Sequence, residues 1–251
     1  MNIRCLSILI LILFSSVIYA QEKELDSLFS LLNNHQQKDS VRVNLLNQLP
    51  RYFTVTDISE SEAYIKEAIA ISKEINYLKG LADSYTSYGV FNVQKGNYEK
   101  ALESSLLAKD IQDNLQDTKG LIKTNSAIAQ IYTHLNKPEK AVEMQLENLE
   151  FFQNDSLNLG KARIHFYLAT AYSDIYDYSN AELHYGKAKY IAQKNNFQTG
   201  VHIANSSLGT IARMKGEYRK SIEYLESALE FYKENNQTAN VAHTNFELAK
   251  S

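Results

Sequence analysis

The chain has 251 residues, of which 44% are hydrophobic and 22% charged, and its formal net charge is -3. This composition allows folding throughout, and a mildly acidic balance without a basic block does not favour nucleic acid or an anionic membrane surface as a partner. The single cysteine, Cys5, lies in a segment that we expect to be removed. Disulfides, a thiolate nucleophile and cysteine metal ligands are therefore excluded from the mature protein.

Residues 1–20 predict a secretory signal peptide, because one arginine precedes an unbroken apolar stretch over residues 6–14 and small residues follow it. We expect cleavage after Ala20 and export to the periplasm or another extracytoplasmic compartment, with no membrane attachment afterwards. An uncleaved anchor is the alternative, because Ile18 is bulkier than the small residue that is usual three positions before a cut. Residues 21–40 follow as a predicted N-terminal capping helix with an apolar stripe.

The rest of the chain repeats with a period of forty residues. Gly80, Gly120, Gly160 and Gly200 set this period, and other glycines, alanines and tyrosines keep it. A fixed period of this size is the signature of a repeat architecture. We therefore divide the chain into five units and the start of a sixth, namely residues 41–80, 81–120, 121–160, 161–200, 201–240 and 241–251.

Residues 81–120 show how one unit is built. Apolar residues recur every three or four positions over residues 81–94 and again over residues 98–114, which predicts two amphipathic helices. Gly96 and the residue after it supply the turn between them. Gly120 is expected to close the unit, because glycine adopts a positive φ at low cost. Each helix buries one face against its partner, so the next unit must cover the rest.

Small residues recur where the helices must approach closely. The predicted close-packing positions are Gly89, Ala129, Ala169 and Gly209 in the first helix of each pair, and Ala101, Ala141, Ala181, Ala188 and Ala228 in the second. Together with the turn at Gly96 and the aromatic residues Tyr132 and Tyr172, these positions resemble the tetratricopeptide repeat (TPR), in a form of forty residues where about 34 is usual. The resemblance implies an all-α fold, a right-handed α-solenoid of antiparallel helix pairs that forms a TPR superhelix.

No arrangement of residues in the sequence indicates catalysis. The histidines form no two-histidine metalloprotease motif, no nucleophile elbow surrounds a serine, and no glycine-rich phosphate loop is present. We therefore predict a protein that is not an enzyme and that carries no metal and no cofactor. The histidines are interpreted as helix-surface or helix-packing residues. The tyrosines could form a carbohydrate or peptide platform, and packing between helices is the favoured interpretation.

The first helix of each pair lines the inner surface of TPR arrays, and the resemblance places the ligand site there. The residues that it implies are Lys123, Gln130, Arg163, Phe166, Thr170, Thr210 and Arg213. Lys123, Arg163 and Arg213 would give three successive repeats one cation each, which predicts a protein or peptide partner with acidic groups or a free carboxylate.

Two functions follow from the resemblance. The first is an exported, non-enzymatic scaffold that holds its partner in the groove. The alternative is a sensory module, because the chain also resembles the exported sensor region of TPR-containing histidine kinases and helix-turn-helix regulators. In that case the output domain is not part of this chain.

Overall fold

The computed structural model describes residues 23–53, 58–152 and 157–251. Within these ranges the backbone forms helices joined by short turns, and it forms no strand. None of the helices in the described part is long and apolar enough to cross a membrane. The predicted signal peptide, residues 1–20, lies outside the described residues.

The helices of the described ranges follow one another at a nearly constant interval. Seven of them, α3–α6 and α9–α11, are seventeen residues long, and three-residue turns bring the spacing to twenty, which is half of the sequence period. The predicted all-α array of helix pairs is confirmed. The bounds are α1 (residues 23–34), α2 (Ser40–Leu46), a 3₁₀ helix (Leu49–Tyr52), α3 (Ile58–Glu74), α4 (Leu78–Gln94), α5 (Tyr98–Asn114), α6 (Thr118–His134), α7 (Pro138–Glu150), α8 (Leu159–Asp174), α9 (Tyr178–Lys194), α10 (Gln198–Met214), α11 (Tyr218–Glu234) and α12 (Thr238–Leu248).

The same turn ends the helices within pairs and between pairs. A residue with positive φ occurs every twenty positions wherever the turn is described, at Asn76, Gly96, Gln116, Asn136, Tyr176, Asn196, Gly216 and Asn236. At Gly96 the amide of Asn97 donates to the carbonyl of Asn92 at 2.8 Å, and the amide of Gly96 donates to Val93 at 2.9 Å. This is the Schellman motif, which satisfies carbonyls that the end of a helix leaves free.

The expected role of Gly120 is wrong. Gly120 lies in the first turn of α6, and the positive φ falls four residues earlier, on Gln116. Gly120 is small for a steric reason, because a β-carbon there would lie 2.6 Å from the carboxylate oxygen Oδ2 of Asp117. The Asp117 side chain folds back over the helix start and accepts a hydrogen bond from the Gly120 amide at 3.0 Å. The glycine thus leaves room for a side chain at the helix start.

The described residues belong to two compact units, which divide between Gly120 and Leu121. In the first unit, α1, α2, the 3₁₀ helix and α3 share one apolar cluster. It includes Leu28 and Leu32 from the predicted capping segment, together with Val43, Leu46, Leu49, Ala68 and Ile71. The helix before Pro50 is short, because proline follows it at the start of the 3₁₀ helix.

In the second unit, apolar clusters join successive helices. Ala129, Ala141 and Leu168 belong to a cluster that connects α6, α7 and α8. Ala169 and Ala181 belong to the next cluster, which connects α8, α9 and α10. Each cluster is shared between neighbouring helix pairs, as expected for a repeat array in which a pair cannot bury its apolar faces alone.

The residues predicted for close packing lie at helix–helix contacts. The alanines of this set, Ala101, Ala129, Ala141, Ala169, Ala181, Ala188 and Ala228, are all buried. Gly89 lies against the side chain of Ser105, and a β-carbon at Gly209 would be 2.6 Å from Cγ of Leu225. At Gly209 even a methyl group therefore needs a shift of the neighbouring helix or leucine.

A buried histidine pair lies between α8 and α9. His165 Nδ1 and His184 Nδ1 are 2.9 Å apart, and the ring of Tyr172 stacks on His184 with centroids 5.6 Å apart. Burial lowers the pKa of His165 to about 4, and the nearby His184, Lys187 and Lys161 act in the same direction. Burial likewise lowers the pKa of His184 to about 4, with a smaller effect from Lys187. Both rings are therefore neutral at pH 7.

Candidate functional site

Helices of the second unit form two adjacent cavities, to which both helices of a pair contribute. One is enclosed by α8, α9 and α10, and we call it the Arg163 cavity. The other is enclosed by α6, α7 and α8, and we call it the Asp174 cavity. Phe166 and Tyr167 of α8 line both of them. The predicted ligand-binding face of the first helices thus contains two concave sites in this unit, with α8 between them.

The Arg163 cavity has a volume of about 500 Å³ and a mostly apolar wall. Ala188, Phe197 and Ile203 contribute to this wall, and Arg163 supplies the cation. Arg163 is exposed, and it forms no ion pair with any of the described residues. An apolar cavity of this size with one charged group can hold a side chain of a partner and orient it by its charge.

The Asp174 cavity has a volume of about 470 Å³ and a more polar wall. Gln130, Thr133, His134 and Thr170 contribute polar groups to it, and Asp174 adds a carboxyl group. Burial raises the pKa of Asp174 above its ordinary value, because an apolar environment disfavours the charged carboxylate. The two cavities therefore differ in charge, with a cation in one and an acid in the other.

Phe166 is held in place as the wall between the cavities. Its ring meets the ring of Tyr185 edge-on, with centroids 5.2 Å apart, and the ring of Tyr167 at 6.3 Å. The hydroxyl of Tyr185 lies 3.0 Å from Oγ1 of Thr170. Burial raises the pKa of Tyr185, so this hydroxyl keeps its proton at pH 7.

Four of the residues implied by the TPR resemblance line these cavities, namely Gln130, Arg163, Phe166 and Thr170. Lys123 is exposed on α6, seven residues before Gln130, and it is not part of either cavity wall. Thr210 is half-buried on α10, where its hydroxyl donates to the carbonyl of Ser206 at 3.3 Å. The structure thus brings the predicted residues of α8 together around Phe166.

The prediction for Arg213 is wrong. Arg213 lies in the last turn of α10, and its Nη2 atom is 2.9 Å from Oε2 of Glu247 in α12. Glu247 is only 5% exposed, and a buried carboxylate requires a cationic partner. The guanidinium of Arg213 is therefore used inside the fold and is not available to a ligand.

Sequence reasoning missed Tyr167 and Asp174. Both lie on the same face of α8 as Arg163, at four and eleven positions after it. Residues with these spacings share one side of an α-helix, so the helical register held a signal for both. In the described part of the chain, no group of three or more histidine, aspartate or glutamate side chains is arranged to hold a metal ion.

No protein-family model matches the chain, and no curated protein matches it. Solved structures share its fold. BtubC (BKLC) from P. vanneervenii has a TM-score of 0.73 at 19% identity, over 87% of this chain and 91% of that chain. YrrB, described as a TPR protein with an unusual peptide-binding site, has a TM-score of 0.55 at 14% identity, over 88% and 98% of the two chains.

A third similar structure is a signal transduction ATPase of the STAND class with a TPR sensor, from Pyrococcus horikoshii. Its TM-score is 0.66 at 14% identity, and the match covers 82% of this chain and 34% of that chain. These similarities confirm the predicted TPR-type α-solenoid fold.

Proposed function

We propose that this protein is an exported, non-enzymatic TPR scaffold whose second unit binds a peptide segment of a protein partner. The observation that carries the proposal is the pair of cavities on either side of Phe166, with the cation of Arg163, which pairs with no described residue, at one of them. A segment that lies across α8 would place one side chain in each cavity. Recognition by grooves of this kind uses apolar anchors for affinity and a few polar groups for orientation.

The charges of the two cavities favour one orientation of the partner. Arg163 favours an acidic group or a free carboxylate in its cavity, since guanidinium and carboxylate form paired hydrogen bonds. Asp174 disfavours a second acidic group at the other cavity. Lys123 adds a cation on α6. The proposed ligand is therefore a peptide with an apolar anchor and one acidic end.

Two of the similar structures support a binding role. YrrB is described as having a peptide-binding site, and the archaeal ATPase as having a TPR sensor. The sequence adds that no catalytic motif is present, which is why we propose a binding protein and not an enzyme.

The test begins with selection of peptides from a random phage-displayed library on the wild-type protein. Affinities of a selected peptide are then measured by calorimetry for the wild-type protein and for Arg163→Glu and Phe166→Ser. Arg219→Glu is the matched control, because Arg219 is an exposed arginine of α11 outside both cavities. We expect selected peptides to contain an acidic residue, and Arg163→Glu to weaken binding by about tenfold or more.

Equal affinity of the peptide for wild-type protein and both groove variants would contradict this site. Loss of affinity in the Arg219→Glu control as well would show that the charge effect is general and not a contact at Arg163. We expect Phe166→Ser to preserve the helix packing, because Ser126 and Ser206 occupy the corresponding positions of the neighbouring units.

Export is proposed from the sequence of residues 1–20. The measurement is the intact mass of the protein isolated from its own cells and from their extracytoplasmic fraction. A mass that lacks residues 1–20 supports cleavage after Ala20, whereas a mass that retains them supports the membrane anchor. The same measurement addresses the alternative function, since a much larger mass would indicate that the array is the sensor of a longer signalling protein.

A further inference from the structure

A third cavity in the second unit is separate from the peptide groove. It lies between α7, α8 and α9 and has a volume of about 680 Å³. Leu149, Leu183, Tyr190 and Ile191 form its apolar wall, and Gly186 lies among them. We call it the Gly186 cavity. Its size is within the range of small-molecule sites.

In the part of the chain that the structure describes, neither backbone conformation nor packing requires glycine at position 186. It lies inside α9 without a positive φ, and no atom of the described residues comes within 4 Å of the position that a β-carbon would occupy. The other glycines either have a positive φ, as Gly96 and Gly216 do, or have neighbours that a β-carbon would meet. Glycine is one of the weakest helix formers. A larger residue at position 186 would fill part of the cavity, and glycine leaves that space open.

The forty-residue period shows that this space is specific to one unit. The positions that correspond to Gly186 hold Lys66, Leu106, Leu146 and Glu226. A second departure lines the same cavity, because Lys161 occupies a position that is apolar in every other unit. The corresponding residues are Val41, Leu81, Leu121, Val201 and Val241, of which Leu81, Leu121 and Val201 are buried. Two departures from the repeat, one of them a lost side chain and one an added cation, therefore meet at one cavity.

Among the described residues that line the Gly186 cavity, cations outnumber carboxylates. Lys161 and Lys187 line it, and neither forms an ion pair with a described residue. The Nζ atom of Lys161 donates to the carbonyl of Phe152 at 3.0 Å, and no carboxylate of the described residues compensates its charge. Among the described residues that line the cavity, Glu182 is the one carboxylate. It pairs with Lys215 at 2.6 Å and with Lys220.

We propose that the Gly186 cavity binds a small organic anion with an apolar body, such as a medium-chain or aromatic carboxylate. The apolar body would fill the space over Gly186 against Leu183 and Tyr190, and the carboxylate would lie between Lys161 and Lys187. Cations with nearby apolar walls bind anionic groups strongly, because few waters compete for them. This proposal does not depend on the peptide groove, since the Gly186 cavity has no lining residue in common with the Arg163 cavity or the Asp174 cavity.

The test uses 8-anilinonaphthalene-1-sulfonate as a fluorescent anionic probe, with decanoate and decanol as competitors. Wild-type protein should bind one probe molecule with saturation, and decanoate should displace it at concentrations about tenfold lower than decanol. Gly186→Leu restores the residue of two other units and should fill the cavity, so affinity should fall by about tenfold or more. Lys187→Gln and Lys161→Met should each weaken binding about three- to tenfold.

Two controls separate this site from others. Gly186→Ala removes little volume, and its affinity should remain within about threefold of wild type, whereas its thermal stability should rise because alanine favours the helix. Arg219→Glu removes the charge of an exposed arginine of α11 that lines none of the three cavities, and it should not affect the probe. Absence of saturable binding to wild-type protein, or equal binding to Gly186→Leu, would overturn the proposal. Equal displacement by decanoate and decanol would overturn the anionic part of it.

Discussion

The buried pair of His165 and His184 predicts a loss of stability in mild acid. Each imidazole is almost inaccessible to solvent, with 4% and 7% of the residue exposed, and the two Nδ1 atoms are 2.9 Å apart. In a neutral pair one ring donates and the other accepts, so a proton added to the accepting nitrogen breaks the contact. Lys187 and Lys161 add repulsion against a positive charge on His165.

The sign and size of the effect follow from the two pKa values. An unfolded histidine has its ordinary pKa of 6.5, whereas burial lowers the pKa of His165 and of His184 to about 4 in the folded protein. The unfolded chain therefore binds more protons between these two values, and the free energy of unfolding falls as the pH falls through this window. From pH 7 to pH 4.5, linkage gives a loss of about 2 kcal/mol for one histidine and up to about 5 kcal/mol for both.

The assay is urea denaturation followed by circular dichroism at pH 7.0 and pH 4.5. The control is the double variant His165→Asn/His184→Tyr, because Asn205 and Tyr224 occupy the corresponding positions of the next unit. Carboxylates titrate in both proteins, so the difference between wild type and variant isolates the histidines. We expect the wild-type free energy of unfolding to fall by about 2–5 kcal/mol more than that of the variant.

The reasoning would be refuted by parallel losses of stability in the two proteins over this pH range. Direct measurement of the histidine pKa values by NMR gives an independent check. Ordinary values near 6.5 in the folded protein would remove the cause of the predicted difference.

Two substitutions test the turn and the repeat register. Gly96→Ala should lower the free energy of unfolding by about 1 kcal/mol. The cause is the positive φ at Gly96, because no described atom lies within 4 Å of the added carbon. Unchanged stability in urea denaturation would contradict a backbone origin. Ala181→Glu should lower the free energy of unfolding by about 3–5 kcal/mol, because Ala181 is fully buried in the cluster with Ala169 and Leu208. A thermal melt that matches wild type would show that the register is misassigned.

The helix pairs and the turn at Gly96 within a pair could be predicted from the sequence, but the turn between pairs could not be placed correctly. The period of forty residues and the apolar spacing identify two helices in each unit. The spacing of Gly80, Gly120, Gly160 and Gly200 sets the period, and a positive φ was expected at Gly120, whereas all four glycines lie in the first turns of helices. Asparagine at 76, 196 and 236 adopts the left-handed conformation instead, because it tolerates that conformation better than most other residues.

The groove residues could be predicted only where the helical register alone decides their position. Arg163, Phe166 and Thr170 lie on one face of α8, and the register places them together. Arg213 could not be judged in this way, because its partner Glu247 lies 34 residues later in the sequence. The contact between His165 and His184 could not be predicted for the same reason, since the two residues belong to different helices. Contacts of this kind depend on how helices pack and not on the pattern within one helix.

Departures from the repeat identify the residues that the scaffold does not require. In an array of similar units, the interfaces between neighbours dictate the residues that recur. Phe166 replaces the Ser or Thr of the second, third and fifth units, Lys161 replaces an apolar residue, and Gly186 replaces Lys, Leu or Glu. All three belong to α8 and α9, and each lines at least one of the cavities. Since the helices of the other units form without them, the scaffold does not require these three residues, and this helix pair is where we place both proposed binding sites.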